Sequence, residues 1–140
     1  GLELDRKVST GVGAMFAINL ALTQLRRGAF VEAEQAMQPF ADSAIAGADA
    51  TFELVYRLAG LAAAFGQRPL SDWEARLDRV VALIDQTGMT DPDVAWPLEI
   101  AGQQARLRGQ GDAATALLEL ALAQWSSIGD AEAVARLRAP

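Results

Sequence analysis

The chain has 140 residues and a formal net charge of −6, and 51% of its residues are hydrophobic although only 6% are aromatic. This length suits a single domain with a sizeable core and is short for two domains. The negative charge disfavours direct binding to nucleic acid or to an anionic membrane surface.

The sequence contains no cysteine and no histidine. It therefore lacks disulfides, thiolate ligands, the commonest general base and the commonest transition-metal ligand. We expect a protein that is not an enzyme and that uses no metal and no cofactor. Its longest apolar stretches, 14–22 and 58–65, are well short of the roughly 20 residues of a membrane-spanning helix. No signal peptide is visible, so we expect a cytoplasmic protein, and the start at Gly1 suggests a piece of a longer one.

Apolar residues at mostly helical spacing predict a first helix over 9–27, with Ser9 or Thr10 as its N-cap. Gly28 ends this helix, and a second helix follows over 31–41. Pro39 lies inside the second helix. Because proline removes a backbone hydrogen bond, we expect a bend or a break near Gln35.

A loop of small residues over 44–51 precedes a third helix, predicted over 51–65 and ended by Gly66. Ser71 and Glu74 then match the capping box, in which the N-cap serine and the third helical residue each bond to the other's backbone N–H. This pattern predicts a fourth helix that begins at Ser71 and ends near Gly88.

Asp91 followed by Pro92 predicts the start of a fifth helix, as a capping carboxylate with a proline in the first turn. Pro97 must then either kink this helix or mark its true start. The fifth helix runs to about residue 108. Asp112 is predicted to cap a sixth helix, and Asp130 a short seventh helix over 130–139.

Gly28, Gly66 and Gly111 mark the inner turns of three helical pairs, at irregular intervals of about 40 residues. The pattern therefore predicts a single domain over 1–140, with helical-hairpin repeats over about 9–46, 50–88 and 92–127.

Two of these repeats match a signature in which small residues stand where the two helices of a hairpin cross closely. In the first repeat the matching residues are Asn19, Leu20, Ala21, Gly28 and Ala33. In the third repeat they are Gly111, Asp112, Ala116, Leu120 and Ala123. On these residues the chain resembles the tetratricopeptide-like repeat family. The middle repeat fits at Ala59 and Gly66, but its turn is lengthened by residues 67–71.

The resemblance implies an all-α fold, a right-handed superhelix of about three antiparallel helical hairpins with a short C-terminal helix. Residues 125–139 are similar to segments in the repeat regions of bacterial LuxR-type regulators and signalling ATPases. The implied function is a non-enzymatic protein–protein interaction module in signalling or transcription regulation. The partner would be a protein, a peptide or another domain of the parent chain, and homodimerisation through a terminal hairpin is an alternative.

Stacked hairpins form a concave groove that binds extended peptides or helices. Projecting the family's groove positions onto this chain gives a set of candidate binding residues. They are Ile18, Leu22, Arg26, Glu53, Tyr56, Leu98, Ala105 and Arg108. Arg26 and Arg108 would either pair with an acidic group of the partner or stabilise a helix C-terminus.

A second hypothesis is a regulatory domain that senses a small molecule in the groove. A deep apolar pocket near Tyr56 or Trp96 would favour this alternative, and a long shallow groove would favour a protein partner. We expect Trp73, Trp96 and Trp125 to fill gaps between hairpins rather than to form a ligand cage.

Overall fold

The computed structural model describes residues 2–41 and 49–139, with residues 2–12 as backbone only. Within these ranges the chain is all-helical and forms no strand, which confirms the all-α part of the predicted fold. Seven α-helices are described there. They are α1 (Leu2–Arg26), α2 (Phe30–Met37), α3 (Ala50–Phe65), α4 (Trp73–Thr87), α5 (Pro92–Leu107), α6 (Gly111–Ile128) and α7 (Ala131–Arg138).

Helices that follow each other in the chain pack in pairs, α1 with α2, α3 with α4 and α5 with α6. The α3 helix is central, because it contacts α1, α2, α4 and α5, and α1 also touches α5. One core cluster contains side chains from every helix from α1 through α6. Its largest side chains include Leu54, Leu58, Phe65, Leu98 and Leu117. The α7 helix packs on α6 through a smaller cluster around Trp125.

Several helix ends lie where the sequence predicts them. The Asp91 carboxylate accepts a hydrogen bond from the backbone N–H of Asp93 at 2.8 Å, and the Asp130 carboxylate accepts one from Ala133 at 2.9 Å. Gly88 ends α4 with a φ of 62°, a conformation in which other side chains are strained. These boundaries could be predicted because each depends on one or two neighbouring residues.

The predicted limits of the first two helices are wrong. The α1 helix begins at Leu2, so Ser9 and Thr10 lie inside it and do not cap it. The α2 helix ends at Met37 and is followed by a 3₁₀ turn, Gln38–Phe40, that contains Pro39. The break comes later than Gln35 because the backbone N–H of Gln38 still donates to the backbone carbonyl of Glu34. The first residue without a backbone N–H donor is Pro39. Most of the predicted loop 44–51 lies outside the described residues.

Two predicted caps are also wrong. The α4 helix begins at Trp73 without a side-chain cap, and Asp72 instead pairs with Arg76 at 3.0 Å. The α6 helix begins at Gly111, so Asp112 lies in its first turn rather than at the cap. Pro97 is buried inside α5 and does not mark its start.

The α5 and α6 helices approach each other closely at Gly102. A Cβ atom at Gly102 would lie 2.6 Å from Cγ of Leu118, so only glycine fits without a shift of its neighbour. Of the signature residues in the third predicted repeat, Ala123 is exposed, and the side of α6 that faces the core carries Ala113, Leu117 and Ala121. The tetratricopeptide-like character of this helical pair stays a prediction.

Candidate functional site

The α1 helix carries large apolar side chains on two sides. Its buried stripe follows helical spacing and consists of Ala14, Ile18, Ala21 and Leu25. On another side, Met15, Phe16 and Leu20 are 64%, 71% and 50% exposed. We call these three residues the α1 face. Exposed apolar patches of this kind mark sites of protein interaction.

The exposed side chains of the α1 face can be compared with buried side chains of α3. When Gly28 is aligned with Gly66, Phe16 and Leu20 correspond to Leu54 and Leu58, which are fully buried in α3. The α3 helix is packed against α2, the helix that precedes it. Two exposed side chains of α1 therefore stand at positions whose counterparts in α3 are buried.

A small open pocket of about 190 Å³ lies between α1 and α5. Leu22, Arg26, Asp93 and Trp96 line it, and the guanidinium carbon of Arg26 lies 4.8 Å from the ring centroid of Trp96. Burial raises the pKa of Asp93, and the negative charge of Asp91 raises it further, whereas Arg26 lowers it. The pocket is smaller than the roughly 300 Å³ at which small-molecule sites begin.

The residues projected onto a groove do not share one surface. Leu98 and Ala105 are fully buried in the core, and Ile18 is nearly so, which leaves them no area for a partner. Leu22 and Arg26 line the pocket between α1 and α5. Tyr56 lines a different pocket, of about 340 Å³, formed by α2, α3 and α4.

Arg108 stabilises the end of α3. Its Nε donates to the backbone carbonyl of Phe65 at 3.2 Å, and its Nη2 donates to that of Gly66 at 2.6 Å. Of the two roles predicted for this arginine, pairing with an acidic group of a partner and stabilising a helix C-terminus, the contact agrees with the second. The stabilised helix, α3, belongs to the neighbouring helical pair.

Glu53 joins α3 to α4. Its buried carboxylate accepts hydrogen bonds from Nε of Arg57 at 2.6 Å and from Nε and Nη2 of Arg79 at 2.9 and 3.0 Å. The hydrogen bonds from Arg79 lower the pKa of Glu53, burial opposes this, and Arg57 lowers the pKa further. In this arrangement Glu53 holds two helices together.

The pairing of Glu53 predicts a stability that depends on pH. Because its pKa is lowered in the folded state, Glu53 stabilises the fold above its unfolded pKa, and this stabilisation is lost as the pH falls through the folded value. We expect Glu53→Gln to lower the free energy of unfolding by about 1–3 kcal/mol at neutral pH. In urea unfolding, the difference from wild type should be constant above about pH 5 and shrink below it. A difference that grows on acidification would contradict the pairing.

Sequence reasoning missed a buried carboxylate, Glu99 in α5, which is 1% exposed. It accepts a hydrogen bond from Nε1 of Trp125 at 2.9 Å and two from Arg136, from Nε and Nη2, both at 2.9 Å. The hydrogen bonds to Glu99 raise the pKa of Arg136, although its partial burial opposes this. The guanidinium also lies 5.0 Å from the ring centroid of Trp96. These contacts fix α7 against α5 and α6.

The tryptophans pack among the helices. Trp125 is buried, and its ring meets that of Trp96 edge to face with centroids 5.2 Å apart. Trp73 packs at the margin of the main core. In the part of the chain that the structure describes, no group of three carboxylates could hold a metal ion, and no helix combines the length and apolarity required to cross a membrane.

Comparisons of the chain with protein-family models, with curated proteins and with solved structures find no match.

Proposed function

We propose that the chain is a non-enzymatic protein–protein interaction module of a cytoplasmic bacterial regulatory or signalling protein. Its contact surface is the α1 face, and its partner presents an amphipathic helix whose apolar side covers Met15, Phe16 and Leu20. The observation that carries this proposal is the exposure of three large apolar side chains on one side of a helix whose buried stripe is already complete.

The alignment of α1 with α3 supports the choice of a helix as the partner. Leu54 and Leu58 correspond to Phe16 and Leu20 and lie in a helix that is packed against the helix before it. A partner helix on α1 would repeat that arrangement and bury both side chains. Burial of a large apolar side chain stabilises a contact by about 1.5–3 kcal/mol.

A tetratricopeptide-like superhelix of about three hairpins is part of the same proposal. Three pairs of consecutive helices pack together. Small residues are buried in them, Ala21 and Ala33 in the first pair, and Gly102 of the third pair lies close to Leu118. In stacked helical repeats each repeat packs against its neighbours, so a helix that covers the α1 face would take the place of a neighbouring repeat.

The alternative, a regulatory domain that senses a small molecule in a groove, has less support. It requires a deep apolar pocket near Trp96 or Tyr56. The pocket at Trp96 is small and contains Arg26 and Asp93, and the pocket at Tyr56 is lined by several charged residues. Neither is the deep apolar pocket that this alternative requires.

Leu20→Asp tests the proposed surface. Leu20 is half exposed, so the variant should fold, but its charge would be buried against the apolar side of the partner helix. Partners recovered from a lysate of the source organism are first identified by quantitative mass spectrometry. Titration calorimetry with the purified partner should then show binding weakened by about 30-fold or more.

The matched control is Leu107→Asp, which places the same charge at an exposed leucine on α5. It should bind the partner as wild type does. Equal affinity of Leu20→Asp and wild type would overturn the proposal. Sedimentation of the wild-type chain alone would expose a different occupant, since a dimer abolished by Leu20→Asp would mean that a second copy covers the α1 face.

A further inference from the structure

The pocket formed by α2, α3 and α4 is separate from the α1 face and has a different character. Its volume is about 340 Å³. Met37, Leu61 and Tyr56 supply its apolar and aromatic lining, and Arg57, Arg68 and Arg76 supply three guanidinium groups. The three arginines come from α3, from the segment after α3 and from α4. The fold thus brings cations from three positions in the chain to one cavity.

Each of these three arginines uses a single nitrogen for its carboxylate partner. Nε of Arg57 donates to Glu53 at 2.6 Å, Nη2 of Arg68 to Glu34 at 3.3 Å, and Nε of Arg76 to Asp72 at 3.0 Å. Their other guanidinium nitrogens have no hydrogen-bond partner among the residues that the structure describes.

The structural arginines behave differently. Arg79 binds Glu53 through two nitrogens, and Arg136 binds Glu99 through two. Such two-pronged contacts use the side of the guanidinium group that best fits an oxyanion. Arg57 and Arg76 use that side through Nε alone, so each keeps Nη1 and Nη2 for a ligand, and Arg68 keeps Nε and Nη1.

The charges around the pocket leave a positive excess. Its lining contains three arginines and one carboxylate, Glu34, and the carboxylates of Glu53 and Asp72 pair with the other two arginines. Because Glu53 also binds Arg79, four guanidinium groups face three carboxylates, and the excess is one positive charge. In a chain with a net charge of −6, this local excess is the reverse of the overall balance. An anion would be attracted to it.

We propose that this pocket binds the oxyanion group, a phosphate or a carboxylate, of a small organic molecule with a short apolar or aromatic body. The oxyanion accepts hydrogen bonds from Arg57, Arg68 and Arg76, and the body packs on Met37, Leu61 and Tyr56. The volume lies at the lower end of the range of small-molecule sites. This site does not depend on the function proposed for the α1 face.

Titrations of the intact chain with phenyl phosphate, benzoate and benzyl alcohol test the proposal, because these probes share an aromatic body and differ in the charged group. Titration calorimetry at low salt should detect saturable binding of phenyl phosphate or benzoate and none of benzyl alcohol. The stronger of the two anions identifies the group that the site prefers. Equal binding of all three probes, or no binding of either anion, would overturn the proposal.

Two kinds of variant locate the site. Arg76→Gln removes one cation, and Gly60→Leu fills the pocket without a change in charge, since a Cβ atom at Gly60 meets nothing within 4 Å. Each should weaken binding of the anion by about tenfold or more.

Arg106→Gln is the matched control, because it removes an exposed cation that does not line this pocket. It should leave the affinity within about twofold of wild type, since Arg106 does not line the pocket and donates no hydrogen bond to the anion there. Far-UV circular dichroism verifies that every variant is folded. Wild-type affinity in both Arg76→Gln and Gly60→Leu, or equal weakening by Arg106→Gln, would overturn the assignment.

Discussion

We expect Arg136→Ala to lower the free energy of unfolding by about 3 kcal/mol, because removal of one partner leaves a buried charge without compensation. The charge is that of Glu99, whose side chain is almost completely buried, whereas Arg136 itself is 40% exposed. The variant also removes the cation–π contact between Arg136 and the ring of Trp96. Chemical unfolding followed by tryptophan fluorescence measures the loss and reports on the same cluster.

Arg138→Ala is the matched control for this prediction. It makes the same substitution two residues later in α7, at an exposed position. Exposed substitutions away from such networks change stability by about 0.5 kcal/mol or less. If the two variants were equally stable, the contact between Arg136 and Glu99 would not hold α7 in place.

Gly66→Ala should lower the free energy of unfolding by about 2 kcal/mol, the typical cost of overfilling a packed site. A Cβ atom at Gly66 would lie 2.1 Å from Cγ of Phe30 and 2.4 Å from both Cδ atoms, so the ring would have to leave its position. Phe30 begins α2, and Gly66 follows the last residue of α3. The substitution therefore loosens the contact between the first and the second helical pair, which urea unfolding will measure.

Gly60→Ala separates this clash from the effect of glycine itself. Gly60 lies inside α3, and a Cβ atom there meets nothing within 4 Å. The substitution should raise the free energy of unfolding by about 0.5–1 kcal/mol, since alanine favours the helix. Stabilisation by both substitutions would mean that Phe30 does not cover Gly66.

The helices could be predicted where their signals are local. Asp91 with Pro92, Asp130, and Gly88 each act on the backbone within a few residues, and all of them mark helix ends in the structure. Ser71 with Glu74 is also a local pattern, but here the ion pair of Asp72 with Arg76 occupies the start of α4 instead. Spacing alone does not show which of two competing local interactions, the capping box or the ion pair, forms at a helix start.

The candidate site was harder to predict because its residues pair across long stretches of sequence. Arg108 binds carbonyls at the end of α3, and Arg136 binds Glu99 in α5, contacts that no periodicity indicates. Leu98 was projected onto a groove by assuming regular repeats, and it lies in the core because α5 is covered by both α3 and α6.

The α1 face was missed for a different reason. The spacing of the apolar residues predicts a helix, but it does not separate Met15, Phe16 and Leu20, which are exposed, from Ile18 and Leu25, which are buried. The exposed side differs from the buried one in its neighbours in the fold, and a helical pattern does not contain that information.

Site-specific photocrosslinking tests the central claim most directly. A photoreactive phenylalanine replaces Phe16 on the α1 face in one variant and Leu107, an equally exposed apolar residue, in the other. The variants are irradiated in cells of the source organism, and the crosslinked peptides are identified by mass spectrometry. We expect a crosslink from position 16, but not from 107, to the apolar side of one amphipathic helix in a partner protein. No crosslink from position 16, or the same products from both positions, would contradict it.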